Sequence, residues 1–457
     1  MYKSLTFLLI SWLVGCLITF AQPQTDTQLS TQFDKLLAEQ FKPDSSGCTA
    51  LVARKGKVIY QKAFGMANIE LNVPMRPDHV FRIGSITKQF TAVAILQLME
   101  QGKLSLQDEI TRFIPDYPTQ GKKITVEHLL THTSGIKSYT DMKEFETIMK
   151  NDMTPTELID FFKNQPMEFE PGTQWKYCNS GYFLLGYIIE KVSGKPYPQY
   201  LDDVFFKPLG MTSSYYGDNA KLIKNRASGY QAGKDGVDNA SYLSMTQPYA
   251  AGAIVSTVGD LWKWHQAVHS YKLVKKETLD KAFTRYKLRD GKLTDYGYGW
   301  GLGTIKGSPT IAHNGGINGF LTSGTYLPRE DVFVAVFSNS TAKDPGEIAE
   351  RIAALALGKP FPAERKVASN VLDDYVGVYE GPFGANPKTT FTITKEDNQL
   401  FEELTGGIKM PIYPETETKF FFKAMDSQLE FIRDASGKVV KRTLTYGGQL
   451  SEAKKIK

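Results

Sequence analysis

A hydroxyl and an amine three residues apart, Ser-x-x-Lys, occur four times in the 457 residues: Ser85/Lys88, Ser134/Lys137, Ser340/Lys343 and Ser451/Lys454. A serine becomes a nucleophile when a neighbouring group takes its proton. On a helix, residues three apart share a face with Cβ atoms about 5–6 Å apart, so the amine can reach the hydroxyl. Only Ser85 follows a glycine and opens a long apolar helical pattern, with Phe90, Val93, Ala94 and Leu98 on one face and Gly102 as a stop. A helix N-terminus also favours negative charge developing at an acyl group there. Ser134 falls in a loop, Ser340 follows a strand and Ser451 lies in the tail. A plain helix cap would leave the same Ser85/Lys88 pattern, so the pair needs support from elsewhere in the chain.

Two clusters supply it. Tyr177-Cys178-Asn179 follows Glu170-Pro-Gly-Thr-Gln-Trp175 and precedes a helical stretch, and His313-Asn314-Gly315-Gly316 ends a strand-like run. With Ser85-Ile-Thr-Lys88, their order and spacing resemble the three signatures of serine β-lactamases and penicillin-binding proteins. The branch resembled has Y-x-N as its second motif and includes class C β-lactamases, D,D-carboxypeptidases, D-aminopeptidases and esterases. Leu129-Leu-Thr-His-Thr-Ser-Gly135, Leu184-Leu-Gly-Tyr-Ile-Ile-Glu190, Pro208-Leu-Gly-Met211 and Ala250-Ala-Gly-Ala-Ile-Val-Ser-Thr-Val-Gly-Asp-Leu261 extend the likeness over about residues 30–357. No G-x-S-x-G occurs, which excludes an α/β-hydrolase elbow.

The resemblance implies an acyl-enzyme hydrolase with Ser85, Lys88 and Tyr177 as catalytic residues and Asn179, His313, Gly315 and Gly316 binding substrate. A phenol titrates near pH 10, and an ammonium such as that of Lys88 would lower that value, so Tyr177 is a candidate base. Closely coupled groups titrate as a unit, so either Tyr177 or Lys88 can take the proton. Asn179 would orient Lys88 and bind an amide carbonyl. Backbone N–H groups of Ser85 and of Gly316, on an edge strand, would form the oxyanion hole. His313 replaces the lysine of true β-lactamases. It is expected to be neutral at pH 7, to bond Tyr177 or the substrate, and to titrate on the acid limb between about pH 5 and 7. Asn314 stands where Ser or Thr is usual, which weakens carboxylate recognition there. Cys178 reads as a small buried residue.

The positioning elements follow from periodicity. Thr49–Tyr60 reads as a hairpin about Lys55-Gly56, and Tyr298–Ile305, Thr310–His313 and Val332–Phe337 as strands. Helical stretches cover 85–101, 158–164, 182–192 and 347–357. Strands at both ends with helices between them predict an α+β fold: an antiparallel sheet flanked by helices plus an all-helical subdomain. Residues 358–370 have linker composition. Beyond them, alternating runs at 375–379, 389–394, 419–423, 429–432 and 439–446 predict a small β-barrel or sandwich over 371–457.

Composition (41% hydrophobic, 23% charged, net +5) fits a globular protein with a sizeable core and gives no basic run for nucleic acid. Lys3, the apolar run Phe7–Phe20 and Ala21 read as a signal peptide, residues 1–21, too short to span a membrane. The hydrolase domain would then be 22–357, in the periplasm or at the cell surface. Leu13-Val-Gly-Cys16 leaves lipidation through Cys16 open. Cys48 and Cys178 are expected as free, partly buried thiols. His265 and His269, four apart, are expected on a solvated helix face, and His128 and His132 as hydrogen-bonding scaffold. No metal or cofactor is expected, and the partner is a small-molecule or short-peptide substrate. Among functions, a D,D-carboxypeptidase- or D-aminopeptidase-like peptidase leads. The alternatives are a β-lactamase or carboxylesterase of the same fold, and a non-catalytic penicillin-type binding or sensor protein, disfavoured by the lack of a signalling domain.

Overall fold

The computed structural model describes residues 24–457 except 235, 363, 384–385, 406, 408, 423–426 and 447–448; the signal-like segment and Cys16 lie outside the described residues. Strands Cys48–Arg54 (β1) and Lys57–Phe64 (β2) form the expected hairpin. Lys55 and Gly56 both take positive φ, +50° and +73°, the twist that a tight hairpin turn requires. Gly301–Ile305 (β3), Ser308–Ile317 (β4), Phe320–Leu327 (β5) and Val332–Ser338 (β6) complete an antiparallel sheet in the order β3-β4-β5-β6-β1-β2. The first and last strands of the domain meet at its centre, with Cys48 opposite Ser338 and Arg54 opposite Val332.

Alternation divides β1 and β6 between two cores. Ala50, Val52, Val334 and Val336 face Asp26–Gln40 (α1) and Pro345–Ala356 (α5). Leu51, Ala53, Ala335 and Phe337 face the larger core, which holds Thr87–Glu100 (α2), Asn179–Ser193 (α3) and Val258–His269 (α4). Helix α2 buries residues all round, as a central helix must, and Phe90 stacks on Trp264 at 3.8 Å. This is the α+β arrangement expected, a β-lactamase/transpeptidase-like fold.

The described residues between Lys359 and Ala368 have no regular structure, and a short helix, Ser369–Asp373, then begins within the last two residues of the stretch read as linker. Eight strands follow: Gly377–Phe383 (β7), Asn386–Glu396 (β8), Gln399–Leu404 (β9), Lys409–Pro414 (β10), Lys419–Phe421 (β11), Ser427–Arg433 (β12), Val439–Tyr446 (β13) and Gln449–Lys455 (β14). They close in sequence order as an up-and-down barrel, Tyr379 of β7 pairing with Lys455 of β14. Its core, from Leu372 to Ala453, is separate from the other two.

Candidate active site

Ser85 sits half-buried in a 3-10 turn, Gly84–Ile86, that precedes α2, so the helix proper opens two residues later than its periodicity suggests. The turn is held by backbone contacts. Ile83 N donates to Ile254 O at 3.0 Å, and Thr322 Oγ1 donates to Ile83 O at 2.9 Å. Gly84 has φ +51°, and a Cβ there would lie 2.9 Å from Gly316 N. A Cβ on Gly315 would lie 2.0 Å from Ile83 O. The glycines of β4 are therefore what let the strand's backbone touch the Ser85 turn. Strand β4 is not an edge strand along its length. Its pairing with β3 ends at Ala312 opposite Gly301, which frees one edge from His313 onward, where Gly316 meets the turn.

Lys88 is fully buried and its Nζ touches three neutral oxygens: Ser85 Oγ at 3.2 Å, Asn179 Oδ1 at 2.8 Å and Ala251 O at 2.8 Å. Burial without a carboxylate partner holds its pKa well below the usual lysine value. The two carbonyl oxygens can only accept, so they take two N–H bonds. In the neutral amine the lone pair is left for the Ser85 O–H to donate to. The backbone of Ala250 and Ala251 is fixed by α2 itself: Thr91 Oγ1 donates to Ala250 O at 2.7 Å. Ala251 has no sequence signal of its own, because a backbone carbonyl is contributed by any residue.

Asn179 begins α3, its N donating to Ser138 Oγ at 3.1 Å and its Nδ2 to Thr140 Oγ1 at 3.0 Å. Cys178 before it is buried, with its N donating to His132 Nδ1 at 3.1 Å and its thiol to Ile136 O at 3.2 Å. Burial pushes that thiol up to about 11, so it is inert as a nucleophile. The Tyr177 ring lies 4.8 Å from Lys88 Nζ and 4.3 Å from the His132 ring. Burial raises the phenol above its ordinary value, offset in part by a hydrogen bond with Ser85. The expected lowering by Lys88 is thus reversed, since the buried amine carries little charge with which to stabilise a phenolate.

His313 is buried, and its expected partner is corrected. Its Nδ1–H donates to Asn314 O at 2.6 Å, which leaves Nε2 to accept from the Tyr296 hydroxyl at 2.8 Å. Tyr177 is only in ring proximity, with centroids 6.3 Å apart. Burial, with Lys88 adding, pushes His313 down to about 3, below the pH 5–7 range expected for it. Tyr296 was missed by sequence. The alternation Tyr296-Gly-Tyr-Gly-Trp300 was its signal: a Cβ on Gly297 would fall 1.9 Å from Ala282 O, and one on Gly299 2.9 Å from Lys88 O. Asn314 lies on the other face of the sheet, its Nδ2 beside Gly346 of α5.

Of the remaining histidines, His128 caps a helix, with Thr125 N donating to its Nδ1 at 3.2 Å. His132 is buried beneath Tyr177 with its Nε2 unpartnered. His265 is not on a solvated face: it is buried on α4 against Phe333 and Tyr326, and His269 stacks on Phe283 at 5.1 Å.

A family model described as Beta-lactamase matches residues 33–358. The chain belongs to this family. A second model, a domain of unknown function (DUF3471), matches residues 362–454, the barrel. Penicillin-binding protein 4* of Bacillus subtilis is 29% identical over 84% of this chain and 89% of its own length. Among solved structures, the octameric penicillin-binding protein homologue from Pyrococcus abyssi covers 93% of this chain and 99% of its own, with 30% identity and a TM-score of 0.65. A D-amino acid amidase from Ochrobactrum anthropi covers 72% and 97%, at 26% identity and a TM-score of 0.63. The fold and motifs place the chain in the family as a serine hydrolase.

Proposed function

We propose that the protein cleaves an amide or ester through an acyl-enzyme on Ser85, acting as a D-aminopeptidase- or D,D-carboxypeptidase-like peptidase. The observation that carries this is the buried Lys88, depressed in pKa and in contact with Ser85 Oγ. Neutral Lys88 takes the Ser85 proton as Oγ attacks the carbonyl carbon. The carbonyl electron pair moves onto oxygen, held by the N–H groups of Ser85 and Gly316. As the tetrahedral species collapses, the leaving group departs with the Tyr177 phenol proton, which the Lys88 ammonium restores. Water then releases the acid by the reverse path. Asn179 orients the amine through Oδ1.

A D-configured amide or peptide is favoured by the likeness to a D-amino acid amidase and to a D-stereospecific amidohydrolase from Streptomyces, the latter at 25% identity and a TM-score of 0.60. The apolar run and Ala21 favour export. Ser85→Ala should abolish covalent labelling by a fluorescent phosphonate or penicillin, while Ser134→Ala and Ser340→Ala keep it. Labelling that survives Ser85→Ala sinks the assignment. A panel of D-alanyl peptide, D-amino-acid amide, p-nitrophenyl ester and chromogenic cephalosporin then ranks the substrates.

A further inference from the structure

Three residues before the nucleophile, Arg82 points away from the core that Phe81 enters and heads a cavity of about 640 Å³. That volume suits a small ligand. Arg82 is half-buried, yet its guanidinium makes no hydrogen bond or ion pair among the described residues. Arg226 and the Tyr242 phenol stand close enough to act on it electrostatically. Two aspartates also line the space, and both are otherwise engaged. Asp152 Oδ1 accepts from Ser244 Oγ at 2.5 Å, and Asp218 Oδ1 from Ala220 N at 2.8 Å. Uncompensated burial and the Arg226 charge push the Arg82 guanidinium down, a penalty that a bound anion would remove.

Two stretches of chain lead from the cavity's lining to the Ser85 site. Arg82 is three residues from Ser85, a span of at most about 11 Å between Cα atoms. Thr246, also in the lining, is five residues from Ala251, whose carbonyl holds Lys88. His313, where true β-lactamases resembled by this chain carry lysine, is neutral and supplies no cation. The unpaired guanidinium is thus the cationic fork near the nucleophile, and a planar carboxylate matches it in a bidentate way.

We propose that Arg82, assisted by Arg226 and Tyr242, forms a subsite for a carboxylate carried by the substrate. This rests on the acyl-enzyme reading above. Two matched pairs of p-nitrophenyl-type esters test it: one pair ends its acyl chain in carboxylate or carboxamide (glutarate against glutaramate), and the other carries the same two groups on the leaving phenol. The wild-type enzyme should favour the carboxylate member of one pair in kcat/KM by about tenfold or more. Arg82→Gln should abolish that preference, and Arg226→Gln, at an exposed position that tolerates change, should reduce it. Equal rates for both members of both pairs, or a preference that persists in both variants, overturns the proposal. So does free glutarate that alters rates without any substrate preference, which would mark an effector site. A wild-type enzyme that hydrolyses none of the four esters refutes the acyl-enzyme reading instead.

Discussion

Replacing Gly315 by alanine puts a methyl group 2.0 Å from Ile83 O and 2.4 Å from Thr322 Oγ1. Both neighbours are fixed, because Thr322 Oγ1 donates to that same Ile83 carbonyl. Restoring a 3.0 Å contact requires β4 and the Ser85 turn to part by about 1 Å. Overpacking of this kind costs about 1–3 kcal/mol of stability. The larger effect falls on chemistry, since the Gly316 N–H follows directly in the strand and moves with it. Losing one oxyanion donor costs about 10²–10³ in rate, and a 1 Å misplacement alone can cost about 10². Gly315→Ala should therefore lower kcat/KM for a p-nitrophenyl ester by at least about 10², with a lowered Tm. In Gly316→Ala the new methyl would meet only Leu321 Cδ2 at 3.4 Å, so its Tm should stay near wild type. A Gly315→Ala enzyme within threefold of wild type, with unchanged Tm, would refute the claim that this close approach builds the site.

Other expectations follow from burial. His313 titrates at about 3, so His313→Gln should leave the acid limb of kcat/KM above pH 5 where it was; a limb that shifts would restore the histidine as its source. His313→Lys should lower Tm, because it buries a second amine beside Lys88. All six histidines have folded values below the ordinary 6.5, so the unfolded chain binds protons that the folded chain refuses. Stability should then be present above pH 6.5 and fall as pH drops toward 4, with proton uptake on unfolding measurable by calorimetry in different buffers. In the barrel, Arg442 and Glu402 are 2.8 Å apart with side chains 1% and 6% exposed. Arg442→Met alone should cost about 3–5 kcal/mol, while the double variant with Glu402→Leu should recover most of it in denaturant titrations. Ending the chain at Lys366 removes the whole barrel core, and the remaining protein should keep its circular dichroism and its ester hydrolysis while its preference among peptides changes.

The residues proposed for catalysis could be picked out because their spacing is local: Ser85 to Lys88 across one helical turn, Tyr177 to Asn179 across one helix start. Their ionisation was not, since it depends on what surrounds them. A lysine met as a letter carries a charge; Lys88 among three neutral oxygens does not favour one. His313 was found but its partner was not, because Tyr296 comes from the turn before β3 and reaches it across the sheet. The polar pattern of α4 misled for His265, where the helix lies on β6 and β5 rather than facing solvent. In the tail, β9 and β14 escaped notice because charged residues such as Glu402 interrupt their alternation, and β10 because Pro411 and Pro414 argue against a strand. Helix α1 was also passed over, although Thr25 and Gln28 form a capping box at its start.

The pairing of β1 with β6 joins residues nearly 300 positions apart, and this sets when the protein can become active. During synthesis the hairpin of β1 and β2 is made first, then Ser85 and its lysine, while the strand that supplies Gly316 emerges over 200 residues later. At typical elongation rates that interval is on the order of tens of seconds. A nascent chain in that window holds Ser85 with its own N–H and Lys88, but it has no Gly316 N–H as second donor and no full sheet to fix the turn. The site is therefore assembled late and all at once, when β4 to β6 close the sheet, so a chain that ends before Ser338 lacks the assembled Ser85 site.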